Sequence, residues 1–326
     1  AQPETRSLEW TDVEAPGYIV ARWLNFAALI TTLGVVGFVF LVIPRVGAES
    51  DPARMAAFRE SVRRRAATLG VVATLGGIIA LLWRLHAERG VIGGAVTVAM
   101  LLQSFWGHVW LVQFVLTALL CAAFALARGE RAGRKVGPAW PVAAIAALLI
   151  SATPAFSGHA GAAVSHRVLS IGLDVVHVLA AGGWLGGLFV LAVAGIPAAR
   201  ANRANTERGE SLPLIARLVN SFSPVALTLA ILVVLTGAVA AWLHVGSFSM
   251  LFHSAYGTVL LVKLAFVVLV LAAGGHNWLR MRAELAADTG SSAVSSFRRS
   301  AWSEVVFAAL VIAATAVLVA VQPPLH

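Results

Sequence analysis

Residues 220–242 read NSFSPVALTLAILVVLTGAVAAW, a stretch without one Asp, Glu, Lys or Arg. At 1.5 Å rise per residue, about 20 such residues in a helix cross the ~30 Å hydrocarbon core of a bilayer, with every backbone group paired inside the segment. Comparable apolar runs occupy about 18–43, 66–85, 106–127, 139–153, 169–195, 255–276 and 301–321. The sequence therefore predicts an all-α, polytopic transmembrane helix bundle of about eight spanning helices. The run at 139–153 is short for a span, and 92–104 (IGGAVTVAMLLQS) reads as a re-entrant or surface helix ahead of Trp106. Composition points the same way. Hydrophobic residues make up 59% of the chain and charged ones 12%, against about 25% charged in soluble domains, and the mean hydropathy is +0.86.

Orientation follows from Lys and Arg, which stay on the cytoplasmic side during insertion. Arg45, Arg54, Arg59, Arg63, Arg64 and Arg65 follow the first run, and Arg128, Arg131, Arg134 and Lys135 follow the third. Arg200, Arg203, Arg208 and Arg217 follow the fifth, and Arg280, Arg282, Arg298 and Arg299 the seventh. These alternate loops are expected in the cytoplasm and both termini in the periplasm, with residues 1–17 as a periplasmic N-terminal segment. The opening AQPETRSLEW is polar and lacks an initiator Met, as expected once a leader or tag has been removed. No polar stretch exceeds roughly 30 residues, too few for a separate soluble domain, so 1–326 reads as a single integral-membrane domain. No convincing internal repeat stands out, and an inverted-repeat transporter is unsupported.

Several functions are disfavoured. The net charge of +9 comes from arginines dispersed over short loops without interleaved aromatics, which argues against nucleic acid and for contact with membrane lipids. Cys121 is the one cysteine, so there is no CxxC metal pair. There is no GxxxxGK[ST] phosphate loop and no catalytic constellation, and the chain is not expected to be an enzyme.

With this orientation the outer end of the bundle receives His86, His108, His159, His166, His177, His244, His253 and His326, and only His276 falls inside. Imidazole is a good ligand for copper, zinc, iron and nickel, and the thioethers of Met100 and Met250 on the same side favour Cu(I). Copper, as Cu(I) or Cu(II), is the metal these ligand types suggest. His177 lies roughly 13 Å into its span, three residues after Asp174. Ionisable groups inside a membrane are costly and usually functional. Asp174 is positioned to fix the His177 tautomer by accepting its second ring N–H, or to form a structural ion pair with Lys263. The glycines of AAGGWLGGL (180–188) read as a helix-packing surface, with Trp184 in a helix interface and Glu304 capping or pairing with an arginine.

These residues carry a resemblance. SGHA (157–160), DVVHVLAAGGWLGGL (174–188), the 220–242 stretch, YGTVLLVKL (256–264) and SEVVFAALVIAATAVLVAVQPP (303–324) are similar to the CopD/PcoD copper-resistance family of bacterial inner-membrane proteins. The resemblance covers most of the second half, with 157–324 as its most CopD-like region. It implies an eight-helix protein that handles copper between periplasm and cytoplasm, often beside a small periplasmic copper-binding partner of the CopC type. By motif position it carries the family's histidines over to His159 and His177, and its intramembrane acid and lysine to Asp174 and Lys263. The seventh run ends GGHNWLR, where Asn277 and Arg280 preserve an expected Asn-Arg pair in part. His108, His166, His253 and Met250 are metal candidates on their chemistry alone.

The function expected is copper movement from periplasm to cytoplasm through an outward-facing histidine site. A cation moving inward gains about 2.3 kcal/mol per charge per 100 mV. One alternative is a b-type membrane cytochrome with haem held by His177 and either His108 or His253. Another is a copper-binding sensor or assembly factor that moves nothing.

Overall fold

The computed structural model describes residues 16–47, 52–92, 97–130, 136–157, 167–204, 211–245, 247–286 and 291–321. Among them there is no strand. The first half comprises α1 (Pro16–Gly37), α2 (Pro52–Ile92), α3 (Val98–Gln103), α4 (Phe105–Arg128), α5 (Ala139–Ile150) and α6 (Thr153–Ser157). The second comprises α7 (Arg167–Ala181), α8 (Gly187–Val190), α9 (Ile196–Ala204), α10 (Ser211–Val245), α11 (Phe248–His253), α12 (Ala255–Ala286) and α13 (Ser291–Leu318). The expected bundle is present. Seven described stretches are long and apolar enough to cross a membrane, and the eighth run appears as the shorter apolar stretch Trp302–Leu318 of α13. The doubtful run at 139–153 extends to Phe156 and reaches 18 residues. The ambiguous 92–104 region holds α3, a single short helix set against the start of α4.

The arginines serve the helix ends. α2 has 41 residues, roughly 60 Å at helical rise, so its first turns outrun the hydrocarbon. There Arg59 donates to the Val46 carbonyl at 2.6 Å, and Arg45 donates to the carbonyl of Leu41. Carbonyls at the end of the first span that no further helical turn satisfies thus receive cationic donors, which also complement the helix dipole.

The fifth span is the most deeply packed, with 72% of its most apolar window buried against 17% and 22% for the sixth and seventh. It is one continuous helical path in which two π turns, Gly182–Gly186 and Leu191–Gly195, separate α7, α8 and α9. Its glycines divide between two neighbours. A methyl on Gly186 would overlap the Ile30 carbonyl and Gly34 of α1, and one on Gly182 would overlap Leu33. One on Gly183 or Gly187 would meet Leu229 or Phe222 of α10. The four-residue spacing read as packing is therefore used twice, once toward each partner helix.

The structure corrects the reading that no repeat is present. TVAMLLQSFWGHVWLVQF (97–114) and SFSMLFHSAYGTVLLVKL (247–264) match along their length and fold alike. Thr97 and Ser247 cap α3 and α11 by accepting from the backbone N–H of Met100 and Met250, each at 3.3 Å. Ser104 and Ser254 then cap α4 and α12 through Gly107 and Gly257, each at 3.0 Å. AWPVAAIAALLISAT (139–153) likewise matches AWSEVVFAALVIAAT (301–315), and LNFAALITTLG (24–34) aligns with VHVLAAGGWLG (176–186). Beyond that point FVFLVIP (38–44) aligns with LAVAGIP (191–197), displaced by one further residue. Such a displacement is what a π turn absorbs: Phe38–Val42 and Leu191–Gly195 are π turns in both halves, and the second half has a further one at Gly182–Gly186. The chain thus holds two related halves, with equivalent glycines, Gly34 and Gly186, meeting where the halves cross.

Adding a methyl at that crossing forces the backbones apart. Gly34→Ala and Gly186→Ala are each expected to lower stability by about 1–3 kcal/mol, read as an earlier thermal unfolding in detergent. Gly76→Ala, at a position facing open space, leaves the midpoint unchanged or slightly higher.

Candidate functional site

His177, Asp174 and Lys263 lie within electrostatic reach of one another through Lys263. His177 lies ten residues into α7 and Lys263 eight into α12, both ~12–15 Å from a helix start by rise. The Lys263 ammonium acts electrostatically on His177 and on Asp174, and Asp174 also acts on Tyr256, the buried second residue of α12. The acid and lysine thus form an opposite-charge neighbourhood around the imidazole, the arrangement in which ionisable groups are tolerated at this depth.

The residue that sequence reasoning missed is Thr236 of α10. His177 Nδ1 sits 2.9 Å from Thr236 Oγ1. The Thr236 hydroxyl also lies 2.6 Å from the Leu232 carbonyl, and a carbonyl only accepts, so the single hydroxyl proton is engaged there. Thr236 Oγ1 is then the acceptor for His177 Nδ1–H, and the Val233 backbone of α10 also hydrogen-bonds the ring. The neighbouring Gly237 makes this possible, since a Cβ there would lie 3.3 Å from His177 Cε1. The tautomer-fixing role expected of Asp174 falls on Thr236. A faint signal was available in the T-G pair, a small polar break inside the long apolar run of α10.

The remaining candidates divide. His159 and His166 lie outside the described residues, as do the side chains of His244 and Asn277 and all of His326. His108 and His253 are exposed at the start of α4 and the end of α11, and His253 Nδ1 donates to the Ser249 carbonyl at 2.8 Å. Met250 is exposed on α11, three residues before His253. Trp184 is buried among Ala180, Leu185, Ala230, Val233 and Val267 as a core residue. Glu304 is buried where α13 faces Gly274 of α12. Among the described residues no three His, Cys, Asp or Glu side chains form a group that could hold a metal ion.

An all-α membrane bundle with an imidazole aimed inward beside an Asp and a Lys is the build of a multi-pass membrane protein that handles a polar or ionic ligand. The family follows from comparison. Residues 11–167 match the model described as Copper resistance protein D-like, N-terminal domain, and residues 216–318 match Copper resistance protein D. The chain belongs to this copper resistance D family, and the likeness reaches well into the first half. It is 29% identical over 182 residues to copper transport protein CutJ of Bacillus subtilis (strain 168), covering 56% of this chain and 32% of that protein. It is 28% identical over 187 residues to Copper resistance protein D of Pseudomonas syringae pv. tomato, covering 55% and 54%. The chain thus spans about a third and about half of these two relatives. No solved structure matches it.

Replacing Thr236 by Val removes the oxygen that holds Nδ1–H, at a cost of about 1 kcal/mol. In 15N spectra of histidine-labelled protein, with His177 assigned by its loss in His177→Asn, the ring is expected to show a protonated Nδ1 and a bare Nε2. Thr236→Val scrambles that pattern and Thr236→Ser retains it.

Proposed function

We propose that this protein moves copper ions across a bacterial inner membrane, from periplasm to cytoplasm, and that His177 is a ligand on the path. The observation that carries the reading is the engagement of His177 Nδ1 by Thr236 at 2.9 Å, which turns Nε2 into a fixed, neutral nitrogen donor inside the bilayer. Neutral imidazole is a copper ligand, and a ligand ring is normally oriented by a bond to its other nitrogen. Membership of the copper resistance D family supports the choice of metal. His159, His166, His253, His108 and the soft sulfur of Met250 complete the proposed route at the outer mouth, where a periplasmic copper-binding protein of the CopC type delivers the ion. Arginine in alternate loops supports the orientation. The membrane potential supplies the drive, about 2.3 kcal/mol per charge per 100 mV.

Near His177 the charges act with opposite sign on an arriving cation. Asp174 attracts it and the Lys263 ammonium repels it. Lys263→Gln is therefore expected to tighten copper binding by about tenfold, ~1.4 kcal/mol, and Asp174→Asn to weaken it, measured by competition with a calibrated chelator on purified protein. His177→Ala reduces cell-associated copper while the folded protein persists in the membrane at wild-type abundance. Unchanged copper accumulation in that variant overturns the reading, and a Soret band with bound iron in the purified wild type replaces it by a haem protein.

A further inference from the structure

Five buried polar side chains in the first half take no part in that route. Asn25, Thr32, Thr74, Gln113 and Thr117 line a cavity between α1, α2 and α4 with room for about one water molecule. The internal repeat gives the cavity a meaning. Asn25 occupies the place of His177 and Gln113 the place of Lys263, while Thr74 and Thr236 lie on the equivalent helices α2 and α10. We propose that this cavity is the counterpart of the place that His177 and Lys263 occupy in the second half, with the ionisable side chains replaced by amides, and that it binds one neutral ligand, a water molecule.

The hydrogen-bond inventory fits water. Thr74 donates its hydroxyl proton to the Gly70 carbonyl at 2.8 Å, and Thr117 donates to the Gln113 carbonyl at 2.7 Å. Both oxygens therefore face the cavity as acceptors. Gln113 Nε2 donates to Asn25 Oδ1 at 3.3 Å, which uses a fraction of what two primary amides offer and leaves both donors and acceptors. A water satisfies the two kinds at once, and inside a bilayer an amide group without a partner costs several kcal/mol.

Charge excludes a cation. Asp174 of the second half aligns with Arg22 of the first, so the sign beside the pocket is reversed. The Arg22 and Arg84 guanidiniums, both buried, lie over the Tyr18 ring at 4.7 and 5.8 Å. The nearby Glu88 carboxylate accepts from Tyr18 Oη at 2.7 Å. Two guanidiniums beside one carboxylate, about one turn from Asn25, repel any arriving cation through a low-dielectric interior. Packing agrees with a closed site, because α2 packs along α4 while their counterparts α10 and α12 touch only sparsely.

The test is hydroxyl-radical labelling by X-ray radiolysis on the full chain in lipid nanodiscs, with rapid mixing into 18O water. Leu29 and Leu120 line the cavity although both are buried. They are expected to be oxidised and to take up 18O, while the equally buried Leu214 and Leu218 stay unlabelled. Gln113→Leu and Thr74→Val lose the labelling. Labelling of Leu29 and Leu120 no greater than that of Leu218 in the wild type overturns the water site, whatever the variants do. A thermal shift produced by sodium over choline, and lost in Gln113→Leu, overturns the neutral occupant in favour of a cation. Neither readout involves copper, so failure of the copper route leaves this test intact.

Discussion

Gly34 and Gly186 approach so closely that neither tolerates a side chain, and the two halves of the chain are built around that contact. Lipid tails are as apolar as leucine, so helices gain little from hiding hydrophobic surface from lipid, and close packing of small residues has to hold them together. The glycines permit the approach and neighbouring groups secure it. Trp23 of α1 donates to the Ala309 carbonyl of α13 at 3.2 Å, and Leu29, Leu33 and Phe38 share one core with Leu188, Leu191 and Leu218. The first span thereby belongs to the core of both halves. Asn25 and His177 each precede the crossing by nine residues, which sets the two side chains at equivalent places along their helices.

From an equivalent frame the halves diverge in chemistry. In the second, Asp174 and Lys263 offset each other's charge and Thr236 holds the imidazole. In the first, amides replace the histidine and the lysine, and arginine replaces the acid. These exchanges preserve polarity at each place while changing which ligand can be tolerated. Such exchanges place an acid beside one site and an arginine beside the other, opposite charges for an arriving cation.

Apolar length was legible in the sequence because a bilayer demands it regardless of tertiary context, and the run at 220–242 could hardly be anything else. His177, Asp174 and Lys263 were legible for the same reason, since charge at that depth stands out against its surroundings. Thr236 was not. Threonine in a membrane helix ordinarily returns its hydroxyl to the preceding turn, and its second role depends on a helix 59 residues away. The repeat was hidden by its own materials: the matching residues are Ser, Gly, Ala, Leu and Val, common in every membrane helix, and the one-residue shift absorbed by a π turn breaks the alignment. His108 and His253 stood out by lying at the ends of apolar runs, a position that proves to be exposed in both.

On the proposed copper route, Thr236 and Gly237 together explain how a membrane helix can present imidazole to a metal. A histidine buried among leucines turns to whatever polar group it can reach, and a ring held through Nε2 would be lost as a ligand on that side. Thr236, with its own proton returned to Leu232, offers only an acceptor and so selects Nδ1–H. Gly237 removes the side chain that would otherwise press on Cε1 and rotate the ring away. The pair needs no charge for this, so it fixes the donor atom without adding an anion that would make release of a bound cation slow. If the ion is passed onward as proposed, a neutral hydroxyl is a better partner for the histidine than the carboxylate three residues before it, which is left to Lys263.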